Sequence, residues 1–370
     1  MAIPLSDRRY KIDSSGIRKV FDLAAKLKNP CNLSIGLPDY DIPEDIKVHA
    51  IEAIRAGKNR YTQTAGIPAL REKVLQRYKT QGLEFDDLII TSGTSGGLVL
   101  TFLALLNPGD QVLFADPYFV MYKALLEFIG AVPRLVDTYP DFRLRREALE
   151  AAYTPACRMI IINSPNNPTG VVYTEEELRM VAEFAEEKNL TVLTDEIYED
   201  FSYDAPFLSP ARFTNPERTV LIGGMSKNLA MTGWRLGWVA APKHVVAALS
   251  DIQQYTFVCA PSFAQIAALE GIDYPFEAIR QDYGGRRDLI TNGLRALGLN
   301  VERPGGAFYI FPEAPGLDGQ AFCNKCIEHE LLLVPGNVFS TRNTHFRISF
   351  AASRENLQRG LHLLAEALKH

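Results

Sequence analysis

The sequence predicts an α/β protein with a mostly parallel β-sheet covered by helices on both faces, and a second, smaller α+β domain. From residue 86 onward, short β-rich runs alternate with helical patterns, which is typical of parallel strands joined by helices. After about residue 272 the pattern changes to a long charged helical segment, short strands and a final helix. A chain of 370 residues with 47% hydrophobic content is also long enough for two cores.

Five short runs of aliphatic and β-branched residues are the predicted strands of the larger domain: residues 88–91, 111–115, 158–163, 191–195 and 219–223. Helices are predicted at 96–106 and 175–188, the second with a capping box formed by Thr174 and Glu177. In such sheets, ligands bind beyond the carboxyl ends of the strands.

The second domain is predicted to contain a helix at 277–297, strands around 307–311 and 346–350, and the final helix. The expected division has three parts. Residues 1–42 form an N-terminal arm and part of the small domain, residues 43–272 the large domain, and residues 273–370 the small C-terminal α+β domain.

Composition argues against several classes of partner. The formal net charge is −5 and no basic cluster is visible, whereas nucleic-acid binding requires clustered Lys and Arg. The charged N-terminus has no apolar segment after it, so a secretory signal is not predicted. No apolar run approaches the roughly 18 residues of a membrane span. We therefore expect a soluble, cytoplasmic protein without a nucleic-acid or membrane partner.

The five cysteines are an odd number scattered along the chain, which does not indicate a disulfide framework. Only Cys323 and Cys326 have the spacing of half a metal site, and no second pair completes a tetrahedral zinc site. The prediction is that no metal is bound and that these two thiols are half-buried on a helix.

Lys227 is the candidate nucleophile. It follows the predicted strand 219–223, in an apolar, glycine-marked segment, SKNLAMTGWRLGW at residues 226–238. Partial desolvation favours the uncharged amine, which can form a Schiff base with an aldehyde cofactor. Taken alone, the segment fits a surface lysine after a strand equally well.

Asp195 ends another predicted strand and is followed by Tyr198. A carboxylate there can pair with a protonated ring nitrogen and make the ring an electron sink, although a turn cap is the alternative role for Asp195. The loop NSPNNPTG, residues 163–170, follows a third strand, and its asparagine amides can donate to a phenolic oxygen.

Three features suit anions. The turn TSGTSGG, residues 91–97, opens a helix after a strand, so its backbone N–H groups can stabilise a phosphate. Arg235 could pair with that phosphate, and Arg347 could bind a carboxylate through two parallel hydrogen bonds. Alone, the turn also fits a flexible connection, and each arginine a structural ion pair.

Together, and in this order from about residue 33 to 354, these segments resemble the class I/II aminotransferases of pyridoxal-phosphate fold type I, which are aspartate aminotransferase-like. The pattern SKxxxMTGWRLG at residues 226–237 is the strongest element. The resemblance implies a seven-stranded sheet in a three-layer α/β/α large domain and pyridoxal 5′-phosphate as cofactor. It also implies ping-pong transfer of an amino group from an L-amino acid to a 2-oxo acid through an aldimine of Lys227, which also shuttles protons.

The resemblance also assigns roles to the other residues. Asp195 would pair with the pyridine nitrogen, and Asn167 and Tyr198 would hydrogen-bond the ring hydroxyl. Phe119 would stack on the ring, with the adjacent Tyr118 as the alternative. The phosphate would be held by Gly93, Thr94, Ser95 and Arg235, and the substrate by Gly36, Asn167 and Arg347.

Tyr61 matches a tyrosine that reaches the phosphate of the neighbouring subunit, which implies a homodimer with shared sites. One departure is Gly224, where many relatives have a phosphate-binding serine. A hydrogen bond to a charged group contributes about 1.5 to 3 kcal/mol, so cofactor affinity is expected to be weaker here, or water to replace the serine.

Two other functions remain open from sequence alone. C–S β-lyases and cyclopropane-forming synthases use the same residues for another outcome. A non-catalytic cofactor-binding regulator is less compatible, because such proteins usually carry an added DNA-binding domain for which we expect no room. Residues 98–106 contain no cation, and no second arginine is evident for an acidic side chain. Neutral or aromatic substrates are therefore favoured over aspartate.

Overall fold

The computed structural model describes residues 3–12, 16, 20, 27–316 and 318–369. The predicted N-terminal arm, residues 1–42, therefore lies partly outside the described residues. Within the described chain, no helix combines the length and the apolar character needed to cross a membrane. Nor do three His, Cys, Asp or Glu side chains of that part of the chain come together as a possible metal site.

A seven-stranded sheet forms the centre of the larger part of the molecule. Its strands are β2 (Asp87–Ser92), β3 (Gln111–Asp116), β4 (Val132–Asp137), β5 (Cys157–Asn163), β6 (Thr191–Asp195), β7 (Thr219–Gly224) and β8 (Leu236–Ala241), numbered after a short β1 (Cys31–Asn32). The spatial order is β2-β8-β7-β6-β5-β3-β4. Only β8 is antiparallel to its neighbours, so the predicted mostly parallel sheet is confirmed.

Two of these strands, β4 and β8, were not predicted. The β4 strand lies at the sheet edge, is largely accessible and contains Pro133, so it lacks the apolar run of a central strand. The β8 strand begins inside the glycine-marked segment 226–238 and continues to Ala241, and all its residues are buried. In both cases the position in the sheet, and not the local pattern, determines the strand.

Helices cover both faces of the sheet. Along β2, Ile89 packs in a cluster with Leu98 and Phe102, whereas Ile90 packs on the opposite side with Leu70. The predicted capping box of Thr174 and Glu177 is present. The helices of this part are α1 (Glu44–Arg55), α2 (Pro68–Thr80), α3 (Gly93–Leu105), α4 (Val120–Ile129), α5 (Arg146–Ala152), α6 (Glu175–Glu187), α7 (Lys243–Thr256) and α8 (Ser262–Gly271).

The smaller α+β part is built on an antiparallel sheet in the order β11-β12-β9. Strand β1, from the N-terminal segment, pairs with β10. The remaining elements are α9 (Glu277–Ala296), β9 (Tyr309–Ile310), α10 (Gly319–Glu328), β10 (Leu331–Leu332), β11 (Val334–Pro335), β12 (Phe346–Ser349) and α11 (Arg354–Lys369). The predicted long and final helices are confirmed. The domain boundaries at residues 42 and 272 stay predictions.

The prediction of half-buried thiols was wrong. Cys323 and Cys326 are 1% and 0% exposed, and their pKa values are raised by burial. Helix α10 packs against β10, β11 and α11, so the face that carries both thiols is covered. They are apolar core residues of the smaller part.

The strand register brings the candidate site residues to one edge of the sheet. Asn163, at the end of β5, is paired with Asp195 at the end of β6, which is paired with Ile222 near the end of β7. Since these strands are parallel, the loops that follow them emerge side by side. The segment that contains Lys227 follows β7 at the same edge.

Candidate active site

A cavity of about 590 Å³ lies at this edge of the sheet, beside the smaller part of the molecule. Most of the predicted site residues line it together. They are Gly36, Thr94, Ser95, Phe119, Asn167, Asp195, Tyr198, Lys227, Arg235 and Arg347. Residues as far apart in the chain as Gly36 and Arg347 thus line the same cavity.

Lys227 is half-buried, and its Nζ donates to the backbone oxygen of Gly36 at 2.9 Å. The rings of Tyr198 and Phe308 lie 5.9 and 6.0 Å from this nitrogen. Burial, with the nearby positive charges of Arg347 and Arg235, lowers the pKa of Lys227 to about 8. The amine therefore loses its proton far more readily than an exposed lysine, as a nucleophile must.

Asp195 is buried at the cavity wall. Its Oδ2 accepts from the Tyr122 hydroxyl at 2.6 Å, and its Oδ1 accepts from the backbone N–H of Ile197 at 3.4 Å. Burial raises the pKa of this carboxyl group, while the two hydrogen bonds and Lys227 oppose the rise. A buried carboxylate in this setting is stabilised by a cationic partner, such as a protonated ring nitrogen.

Tyr122 was missed by the sequence analysis. It lies on α4, three residues after Phe119, and residues at that spacing share one face of a helix. That spacing is the signal that could have identified it.

Arg347 is only 1% exposed. It donates to Asn167 Oδ1 at 2.9 Å and to the backbone oxygen of Ser34 at 2.8 Å, and its guanidinium lies over the rings of Tyr309 and Phe339. Within the described residues it forms no ion pair, its Nε has no hydrogen-bond partner, and burial lowers its pKa. A buried cation held by neutral groups strongly favours an incoming carboxylate.

The turn predicted to bind a phosphate opens α3 in the structure. Arg235 donates from Nη1 to Thr232 and from Nη2 to Ser92, both at backbone oxygens. Gly93 has φ +68°, and a Cβ there would come within 2.7 Å of Arg235 Nη2. Glycine is thus required both by the backbone and by the arginine. Gly93 lies behind Arg235 and does not line the cavity, unlike Thr94 and Ser95.

Of the two adjacent aromatic residues Phe119 and Tyr118, only Phe119 lines the cavity. Tyr118 is 5% exposed and packs edge-on against Phe114 in the core.

Position 224 is tightly packed, because a Cβ on Gly224 would lie 3.0 Å from the Cα of Gly237. A serine here would require neighbouring backbone to move, which accounts for the glycine.

Tyr61 is not brought to the cavity of its own chain. It is 83% exposed and lines a separate surface depression with Asn59, Arg60 and residues 259–263.

The sequence analysis assigned no site role to several other residues that line the cavity. Asn163, Ser226 and Thr232 lie inside its motifs, whereas Ile35, Leu37, Ile197 and Tyr309 lie outside them.

The residues present fit pyridoxal 5′-phosphate. The cavity offers an amine of lowered pKa for an aldehyde, a buried carboxylate for a pyridine nitrogen, and a helix N-terminus with Arg235 for a phosphate. The unpaired guanidinium of Arg347 remains for a substrate carboxylate. A site of this kind, on a mostly parallel seven-stranded sheet, is that of a pyridoxal-phosphate enzyme of fold type I.

The comparisons with known proteins agree. The family "Aminotransferase class I and II" matches residues 28–364. Aromatic-amino-acid aminotransferase 2 of Thermococcus litoralis is 38% identical over 99% of this chain and 98% of that enzyme. Aspartate/prephenate aminotransferase of Thermus thermophilus is 38% identical over 91% of this chain and 90% of that enzyme.

Among solved structures, the aspartate aminotransferase of Thermus thermophilus with maleate has a TM-score of 0.95 and 36% identity, covering 99% of this chain and 100% of that chain. The chain therefore belongs to the class I and II aminotransferases. It is a pyridoxal-phosphate-dependent aminotransferase.

The lowered pKa of Lys227 can be tested on the cofactor-free protein. We expect its amine to react with acetic anhydride along a titration curve centred near pH 8. Mass spectrometry of peptides after labelling at a series of pH values measures this curve. The exposed Lys58 is an internal control for reagent decay. A midpoint for Lys227 at or above pH 10 would contradict the expected desolvation.

Proposed function

We propose that the enzyme moves an amino group from an L-amino acid to a 2-oxo acid in two half-reactions, and that Lys227 is both the cofactor's covalent attachment point and the proton carrier. The observation that carries this proposal is the arrangement of one cavity. It places the Lys227 amine with the carboxylate of Asp195 and the unpaired guanidinium of Arg347.

When bound, pyridoxal 5′-phosphate supplies an aldehyde that condenses with amines and a ring that accepts electrons from a bond broken at the substrate Cα. Asp195 keeps the proton on the ring nitrogen. Lys227 Nζ would take the proton from the substrate Cα and return it as the oxo acid forms. Its lowered pKa supports this exchange near neutral pH.

Six further residues are proposed to hold the reactants. Arg347 binds the α-carboxylate, with Asn167 fixing the orientation of its guanidinium. Arg235 and the turn that contains Thr94 bind the phosphate. Asn167 Oδ1 already accepts from Arg347, so its amide nitrogen is the group that can donate to the ring hydroxyl. Phe119 provides the aromatic face for the ring, and Gly36 covers the substrate.

Replacing Lys227 tests the proposal directly. We expect Lys227→Ala to lower kcat by at least about 10³-fold, because both the attachment point and the general base are lost. The absorbance band of the enzyme-bound cofactor should also change. The matched control is Lys243→Ala, an exposed lysine at the start of α7, which should retain activity. Retained turnover in Lys227→Ala contradicts the assignment.

The lining of the cavity supports neutral and aromatic substrates. Its cations are Lys227, Arg235 and Arg347, all with proposed roles, and the described residues place no other cation on its wall. The apolar side chains Ile35 and Leu37 lie at the same wall. A second substrate carboxylate would therefore be buried without a partner, at a cost of several kcal/mol.

Half-reactions with single amino acids test this preference. We expect kcat/KM for phenylalanine, tyrosine or leucine to exceed that for aspartate by at least about 10-fold. Stopped-flow absorbance of the conversion to the pyridoxamine form, with 2-oxo acid analysis, measures it. Equal rates with aspartate contradict the preference. Pyruvate and ammonia from an amino acid alone would identify a β-lyase instead.

We further propose a homodimer in which Tyr61 completes the partner's site. Its exposure and its distance from its own cavity support this role. The chain just before residue 259 of this depression carries three further large apolar residues that are exposed, Tyr255, Phe257 and Val258. Clustered exposed apolar residues are typical of protein–protein contact surfaces.

Hybrid dimers test the shared site. Tyr61→Phe should weaken cofactor affinity by about 10- to 100-fold, the effect of losing a hydrogen bond to a charged group. A hybrid of one Tyr61→Phe chain and one Lys227→Ala chain, purified with two tags, should recover about half the native activity per dimer. In that hybrid the intact Lys227 receives an intact Tyr61 from the other chain. The activities are compared at a cofactor concentration that limits the Tyr61→Phe homodimer. Only half of that homodimer's activity in the hybrid would show that Tyr61 acts within its own chain and would contradict the shared site.

A further inference from the structure

Two buried tyrosine hydroxyls meet at the cavity wall. The hydroxyl oxygens of Tyr198 and Tyr309 are 2.8 Å apart, the rings are perpendicular with centroids 5.7 Å apart, and both residues line the cavity. Each hydroxyl carries one proton, and only one of the two can lie between the oxygens. The direction of this hydrogen bond decides which proton is left for the cavity.

The surroundings of Tyr309 favour it as the donor. The guanidinium of Arg347 lies over its ring, 4.4 Å from the centroid, and a cation at this distance makes the hydroxyl more acidic and hence a stronger donor. Among the described residues, the Tyr198 oxygen is the hydrogen-bond acceptor that the Tyr309 hydroxyl contacts. Gly36 packs closely as well, since a Cβ there would lie 1.9 Å from the Tyr309 hydroxyl.

We propose that Tyr309 is a positioning residue whose hydroxyl donates to the Tyr198 oxygen and thereby directs the Tyr198 proton toward the ring hydroxyl of the cofactor. The inference rests on the proposed role of Tyr198. Tyr309 would act through Tyr198, and its ring also lies under Arg347, the arginine proposed to bind the substrate.

The hydrogen bond from Tyr309 is expected to change how strongly Tyr198 donates to the cofactor. A hydroxyl that accepts a hydrogen bond becomes a better donor, because chains of hydrogen bonds polarise one another. Tyr198 would then stabilise negative charge on the ring oxygen more strongly, and the Nζ of Lys227, when joined to the cofactor, would hold its proton less tightly. The titratable groups that face the tyrosine pair are Arg347, Lys227, Asp195 and Tyr122.

The test is the pH titration of the long-wavelength absorbance band of the holoenzyme. Tyr309→Phe keeps the ring under Arg347 and removes only the hydroxyl. We expect the midpoint to rise by about half a unit to one unit, the equivalent of one neutral hydrogen bond. KM for the amino acid should stay within about twofold, since the arginine keeps its aromatic support, while kcat falls. An unchanged midpoint overturns the inference.

A double-mutant comparison shows whether Tyr309 acts through Tyr198. Tyr198→Phe should raise the midpoint more than Tyr309→Phe does, and Tyr309→Phe should add no further shift in the Tyr198→Phe protein. An equal shift in both backgrounds means that Tyr309 acts by another route and overturns the inference. If Tyr198→Phe itself leaves the midpoint unchanged, the proposed role of Tyr198 fails along with it.

The matched control is Tyr203→Phe. Like the Tyr309 hydroxyl, the Tyr203 hydroxyl donates a hydrogen bond, here to the backbone oxygen of Ala307. Tyr203 does not line the cavity. Its removal should leave the midpoint unchanged. A rise equal to that of Tyr309→Phe would show a general packing effect and would overturn the inference.

Discussion

The presence of three cations and one carboxylate in a single cavity is the constraint on which the site depends. Lys227, Arg235 and Arg347 line the same cavity as Asp195, and the two arginines lower the pKa of the lysine beyond the effect of burial. A partly desolvated cavity with an excess of positive charge favours anions. The same charges that make Lys227 a usable amine therefore also favour anionic ligands in this cavity.

The scaffold makes this arrangement possible by fixing distant parts of the chain against one another. The paired ends of β5 and β6 position Asn163 and Asp195, while β12 of the smaller part carries Arg347. Arg347 is anchored by Asn167, in the loop that follows β5, and by Ser34 of the N-terminal segment. The cavity thus lies where three separate regions meet, and each contributes groups that the others hold in place.

Buried tyrosines satisfy and orient the polar groups of the site. Tyr122 donates to Asp195, Tyr198 and Tyr309 bond to each other, and the Tyr40 hydroxyl contacts the backbone oxygens of Lys227 and Asn228. In surroundings of low polarity such bonds are stronger than in water, and an unmade one is costly. Removing one hydroxyl from these tyrosines is therefore expected to alter the protonation of the site more than the fold.

The sequence by itself determined the residues whose chemistry is tied to a local pattern. Lys227, Asp195, Asn167 and Arg235 lie in motifs next to strand ends, and the five most apolar strands are readable because their central positions are buried. Tertiary structure alone decided the rest. Strands β4 and β8 depend on their place in the sheet. Tyr122 and Tyr309 reach the site because they pack against residues distant in the chain. Phe119 lines the cavity, and not Tyr118, because the Tyr118 ring is packed in the core. Such selections are made by contacts between segments far apart in the chain, which no local pattern encodes.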